Sequence, residues 1–132
     1  TYSIDKESAS PLLRACLGLY DVTADRRYVE KAEKIAWYLC TWTMHYTVEY
    51  PEDCVIRQIG FDTFGSTCVS TPHNGLDHYA LRDIGSFLKL YELTGFEQWR
   101  ERAAAFWCAG PVFVRSPCSM QCAYAMMIAG PL

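Results

Sequence analysis

The stretch from Phe61 to Arg82 gathers the side-chain types that acid–base chemistry needs. Asp62 stands between Gly60 and Gly65, in a loop where backbone N–H groups could hold a carboxylate. Ser66, Thr67, Ser70 and Thr71 supply hydroxyls, and His73, Asn74, Asp77 and His78 follow at what reads as a helix entrance. There the positive end of the helix dipole favours anions and lowers the proton affinity of a histidine. Asp62 and Asp77 are the natural pair of carboxyls, one to donate a proton and one to act as base.

The same residues also suit plainer roles. Asp77, after Asn74-Gly75-Leu76, fits a helix N-cap as well as a catalytic carboxyl. Asp62 fits a turn, and His73 after Pro72 fits a loop anchor. His73, Asp77 and His78 could ligate a metal, but the HExxH spacing is absent, so neither metal nor cofactor is expected. A Cys68–His73 nucleophile pair comes with no sign of an oxyanion hole. His45, at a helix end, is expected to partner the C-terminal dipole.

Helical periodicity brackets this region on both sides. From Pro11 to Val22, Leu12, Leu13, Cys16, Leu19 and Tyr20 recur at helical spacing, with Ser10 placed as N-cap and Pro11 at the first position. Thr23-Ala24-Asp25 breaks the pattern, and Asp25 can cap a second helix from about Arg26 to about Thr43. Tyr28, Ala32, Ile35, Ala36 and Leu39 form its apolar stripe, with charges mostly on the other face. From Tyr46 to Leu76 the period is lost, and VIRQIG within it suits a short strand. Ile56, Ile59, Phe61, Phe64 and Val69 make this segment too apolar for disorder, so it is expected to be ordered and functional. Helices are predicted again from about Asp77 to Leu93 and from about Glu97 to Cys108, with a turn at Thr94-Gly95. Beyond Gly110-Pro111, VFV looks extended and Met120 to Ala129 suits one more short helix.

An internal repeat underlies the two helical parts. LGLYDVTADRRYVEKA, from Leu17, aligns without a gap on LKLYELTGFEQWRERA, from Leu88. Leu17/Leu88, Leu19/Leu90, Tyr20/Tyr91, Thr23/Thr94, Tyr28/Trp99, Lys31/Arg102 and Ala32/Ala103 correspond. One unit that ends a helix, turns and packs the next helix back is used twice.

The bulk composition bounds what the chain does. Its 132 residues make about one domain, 51% hydrophobic and 20% charged, which is globular composition. The net charge of -3 and the lack of a basic cluster argue against nucleic acid or an anionic membrane as partner. No apolar run approaches the ~20 residues of a membrane span. The start TYSIDKESAS lacks a signal-peptide core and begins at Thr1, as expected of a processed, trimmed or partial chain. Seven cysteines is an odd count, and Cys16, Cys40, Cys68 and Cys108 sit among apolar or small residues. Reduced thiols in a cytoplasmic compartment are expected. Four Trp, nine Tyr and six Phe either fill a helical core or stack on a ligand such as a sugar ring.

The phrases LYDVTADRRYVEKAEKIAWYL and LYELTGFEQWRERAAAFW resemble the helix-turn-helix of (α/α) toroids, the six-hairpin glycosidase-like superfamily, in which LYxxTGDxRYLExAxxxxxWL recurs. FDTFGSTCVSTPHNGLDHYAL resembles an active-site loop of toroidal proteins of glycoside hydrolase and related uncharacterised type, and the resemblance fades after Trp107. It implies an all-α fold: antiparallel hairpins of a partial (α/α) toroid within a single segment 1–132, with units near 10–43 and 77–108. It further implies hydrolysis of an oligosaccharide or glycan by paired carboxylates, Asp62 and Asp77. His73 and His78 would bind sugar hydroxyls or tune those carboxyls, while Tyr79 with Trp107 or Trp42 would form a platform under a ring. Arg57 or Arg82 would meet a uronide. Two alternatives stand beside hydrolysis: a non-catalytic carbohydrate- or peptide-binding repeat module, and an inactive fragment of a larger enzyme. A partial ring leaves apolar helix faces bare, so a homo-oligomer or a missing remainder of the chain is expected to cover them.

Overall fold

The computed structural model of the chain describes residues 5–71, 76–77 and 79–110. They are mostly helical, with one small two-stranded sheet. Helix α1 spans Ala9–Thr23 and starts earlier than the Ser10-Pro11 pattern suggests. The reason is Asp5, whose carboxylate accepts the Ser8 N–H and the Ser8 hydroxyl, both at 2.7 Å. Ser10 is thereby free to point its hydroxyl at Asp83 instead. Helix α2, Arg26–Cys40, is capped as expected by Asp25, which accepts the Arg27 N–H at 3.0 Å. It ends at Cys40, short of Thr43, because Thr43 leaves the helix to bridge Thr67. Leu13, Cys16 and Leu17 of α1 are buried, as are Val29, Ala32, Ala36 and Leu39 of α2.

The second pair repeats the first. Helix α4, Ile84–Thr94, and helix α5, Glu97–Ala109, are joined through Gly95 and Phe96. Phe87 meets Trp99 and Phe106 edge to face, with centroids 5.7 and 5.1 Å apart, and Trp37 of α2 meets Trp99 at 5.1 Å. All four helices share one core. The two links use the same device, a left-handed residue whose N–H closes back on the helix. Gly95 does so at φ 70°, bonding Tyr91 O, whereas Ala24 does so at φ 54°, bonding Tyr20 O. The Asp21–Lys89 ion pair and the Arg26 bond to Leu93 O at 3.1 Å tie the link ends of the two pairs together.

The segment between the pairs closes the other end. VIRQIG is not a strand: Val55–Gln58 is a single helical turn, α3, with the Ile59 N–H bonded to Val55 O at 3.0 Å. Strands β1, Thr67–Cys68, and β2, Leu76–Asp77, pair antiparallel with Thr67 opposite Asp77. Isolated bridges add Thr43 against Thr67 and Asp5 against Ser70. The helix predicted from Asp77 is also corrected. Asp77 is committed to the sheet, a 3-10 turn follows at Tyr79–Asp83, and α4 begins only at Ile84. Gly65 lets this segment approach α5. At φ +78° its own geometry excludes most residues, and a Cβ there would sit 2.1 Å from Ala105 O. Among the described residues no helix is long and apolar enough to cross a membrane. The tail expected to form an extended piece and a short helix, 111–132, lies outside the described residues.

Ala24 carries the cost of a Cβ in the left-handed region that Gly95 avoids. Ala24→Gly is therefore expected to raise stability by about 1 kcal/mol, and Gly95→Ala to lower it by about as much. Urea unfolding of both variants measures this.

Candidate functional site

Four chain segments meet at the closed end. Lys6 is pinned by its backbone N–H on Val69 O at 3.0 Å and is only 2% exposed. Its ammonium lies 2.5 Å from Asp77 Oδ1 and 2.6 Å from Thr67 Oγ1. Thr67 donates its hydroxyl to the same Asp77 oxygen at 2.6 Å, and the Tyr79 N–H donates to it at 2.9 Å. Three donors thus converge on one carboxylate oxygen. The other, Oδ2, is buried without a hydrogen bond among the described residues. The Tyr79 ring receives cations from two directions, Lys6 Nζ at 5.6 Å and Arg82 Cζ at 5.1 Å from its centroid.

Beside this cluster lies a polar cleft of about 180 Å³ lined by Lys6, Glu7, Ser10, Arg14, Tyr79 and Arg82. Asp83 stands behind it, 2% exposed, with the Ser10 hydroxyl donating to Oδ2. Its Oδ1 has no hydrogen bond among the described residues, and Arg14 Nη1 stops 3.6 Å away. Burial pushes this carboxyl above its ordinary value, against the Ser10 bond and the charges of Arg14, Lys6 and Arg82. Asp77 and Asp83 do not line the cleft themselves; each reaches it through a lining residue, Asp77 through Lys6 and Asp83 through Ser10 and Arg14.

Of the residues singled out from sequence, Asp77 and Tyr79 meet here and Arg82 joins them. Asp62 does not. It is exposed and accepts the Thr47 hydroxyl at 2.6 Å and the Phe64 N–H at 2.9 Å, the pattern of a turn carboxylate. Arg57 is exposed and bonds Tyr50 O at 2.9 Å beside α3. Trp42 packs edge-on against Tyr38 at 6.1 Å, and Trp107 lies 54% exposed on α5. No hydrogen bond or ion pair among the described residues joins any of these four to Asp77. His73 and His78 lie outside the described residues. His45 bonds Cys40 O at 3.1 Å, at the end of α2, and its other nitrogen meets Arg102 at 2.8 Å. Arginine can only donate, so that nitrogen is the acceptor of the pair.

Lys6, Arg14 and Asp83 were not picked out from sequence; Thr67 was singled out as a hydroxyl of the polar stretch, and Ser10 only as a helix cap. For Asp83 a signal was present: a carboxylate directly before the apolar run IGSFLKLYEL reads as a helix start. Lys6 carried none, since nothing in a polar N-terminal stretch marks which residue will be buried. Among the described residues no group of three or more His, Cys, Asp or Glu is placed to hold a metal ion. The described cysteines are free thiols; Cys16 and Cys40 are buried, and burial pushes the Cys40 thiol up to about 11. No family model matches the chain, and no curated protein or solved structure is similar enough to lend it a function.

Lys6→Met removes the charge partner of a buried carboxylate and is expected to cost about 3–5 kcal/mol. Adding Asp77→Asn to that variant should recover part of the loss, and denaturant unfolding of the three proteins reads the difference. For Asp83 the sign runs the other way from a salt-bridged aspartate. A raised folded-state value means that the folded protein holds the proton more tightly. The stability this contributes is complete below the ordinary value of 3.8 and is lost as pH rises through the folded value. Wild type should accordingly lose stability relative to Asp83→Asn between about pH 3.5 and about pH 7, read from urea midpoints at the two conditions.

Proposed function

We propose that this chain is part of an (α/α) toroid acting on glycans, with glycoside hydrolysis as the reaction and the cleft beside Tyr79 as the sugar site. Asp83 is the observation that carries this reading. Hydrolysis of a glycosidic bond needs a carboxyl that holds its proton more tightly than an ordinary aspartate and a second carboxyl across the sugar. Burial raises the proton affinity of Asp83, its Oδ1 has no hydrogen bond among the described residues, and its neighbours Ser10 and Arg14 line the cleft. Asp77 is the second carboxyl. Its Oδ1 is fixed by Lys6, Thr67 and the Tyr79 N–H while Oδ2 is left without a partner among the described residues. Asp77 with Asp83 suits the role better than Asp77 with Asp62, whose carboxylate is exposed and occupied by its own turn. Tyr79, 39% exposed, lines the cleft with an aromatic ring that Lys6 and Arg82 already approach. Arg82 and Arg14 are placed to bond hydroxyls or the carboxylate of a uronide. His73 and His78 belong to the proposed site by their place in the sequence. The free cysteines fit a reducing, cytoplasmic setting.

A second reading rests on Asp77 itself. A carboxylate held by an ammonium, a hydroxyl and a backbone N–H has the character of a strut, and a site braced in this way can bind a sugar without cleaving it. A panel of neutral and acidic oligosaccharides separates the two readings. Under hydrolysis, Asp83→Asn lowers turnover by at least ~100-fold while binding is kept, since general acid catalysis is worth 10²–10⁴-fold. Saturable binding by wild type with no turnover selects the binding module. If no sugar of either class binds, the glycan reading fails.

A further inference from the structure

The two hairpins share a sixteen-residue repeat and the same left-handed link between their helices. A difference in burial between equivalent positions therefore registers what the neighbouring segment covers. The differences fall into two opposite sets. Leu19 is 45% exposed while its counterpart Leu90 is 0% exposed. Ile35 is half-buried where Phe106 is buried. In the other set the order reverses. Leu17 is 4% exposed against 40% for Leu88, and Ala36 is 0% exposed against 54% for Trp107. Each hairpin thus has two faces. The face of α1–α2 bearing Leu17 and Ala36 and the face of α4–α5 bearing Leu90 and Phe106 are closed in the shared core. The two remaining faces are open.

The open face of α1 is apolar along its length. Leu12, Ala15, Leu19 and Val22 recur at helical spacing, all of them exposed, and Gly18 among them has nothing within 4 Å of where a Cβ would stand. Leu12 also borders a groove of about 470 Å³ between α1 and α2, with Ala9, Ile35 and Tyr38 as its apolar walls. On the opposite edge, Leu88 of α4 and Trp107 of α5 stand out from the surface. Leu19 on one open face and Leu88 on the other are the counterparts of Leu90 and Leu17, which are already buried in the shared core of one chain.

We infer that the chain stacks head to tail on a second copy of itself, the Leu88–Trp107 face of one copy seating on the Leu12–Leu19–Val22 face of the next. The occupant is a second copy because the contact continues an interface that this sequence already makes between its own two hairpins. The contact joins two different faces, so each added copy leaves one face of each kind open, and copies add as concentration rises until a ring closes or a longer assembly grows. It rests on the proposed ring of hairpins, whose next unit a second copy supplies, and its test requires no sugar.

Sedimentation velocity over a range of concentrations tests the inference, with circular dichroism to verify that each variant folds. Wild type should show masses above one chain that grow with concentration. Leu19→Glu alone and Leu88→Glu alone should each abolish association, because every copy then lacks one of the two faces. An equimolar mixture of the two variants should restore a dimer and stop there, since one variant keeps the first face and the other keeps the second. Leu12→Glu and Trp107→Glu form a second pair with the same expected pattern, should either leucine variant fail to fold. A wild type that stays monomeric at every concentration overturns the inference and points to a hairpin elsewhere in a longer chain as the cover. Self-association that survives either single variant, or a mixture that stays monomeric, overturns it as well.

Discussion

A buried ammonium must have an anion, and the arrangement of the closed end follows from how Lys6 finds one. The ion pair with Asp77 joins the segment before α1 to the strand before α4, and Thr67 between them belongs to a third stretch of chain. None of these segments has enough apolar surface to hold itself in place. What holds them is that each supplies one polar group whose burial is tolerable only if the others are present. The sheet is accordingly minimal, with Thr67 and Cys68 facing Asp77 and Leu76, and the backbone pairing serves mainly to keep the charges together. The Tyr79 ring then follows from Asp77, whose Oδ1 accepts the Tyr79 N–H.

The helices were legible in the sequence to the extent that local chemistry determines them. Asp25 caps α2 where a side-chain acceptor was expected, and the stripe through Ala32, Ala36 and Leu39 is the buried one. The repeat located both links correctly, because a left-handed residue after a helix leaves a local signature whether it is Gly95 or Ala24. Misplaced boundaries arose where a distant partner overrode local preference. Ser10 looks like a cap but serves Asp83, and Asp77 looks like a helix start but serves Lys6. VIRQIG has the composition of a strand, yet Val55–Gln58 winds into a helical turn that nothing in its own sequence marks.

The candidate site was half legible for the same reason. Residues that act through their own neighbourhood, such as Tyr79 beside Asp77, could be picked out from the polar stretch that contains them. Lys6 and Arg14 come from the far side of the chain and enter only through the fold. Asp62 shows the converse. Its flanking glycines suggested a carboxylate held by backbone N–H groups, and the Phe64 N–H does hold it, but on an exposed turn. Local geometry was read correctly there while burial, which decides whether a carboxyl changes its proton affinity, was not accessible.

The two-residue links have a kinetic consequence. Each hairpin closes over a short stretch of chain, so its contacts are local and form early, within microseconds for elements of this kind. The ties that build the cleft join residues far apart in sequence, such as Lys6 with Asp77 and Ser10 with Asp83, and they can form only after both hairpins exist. The cleft is thus the last part of the molecule to assemble and the first to open. It is a seam between two early-folding halves, and the Lys6–Asp77 bond works as the latch that keeps the seam shut.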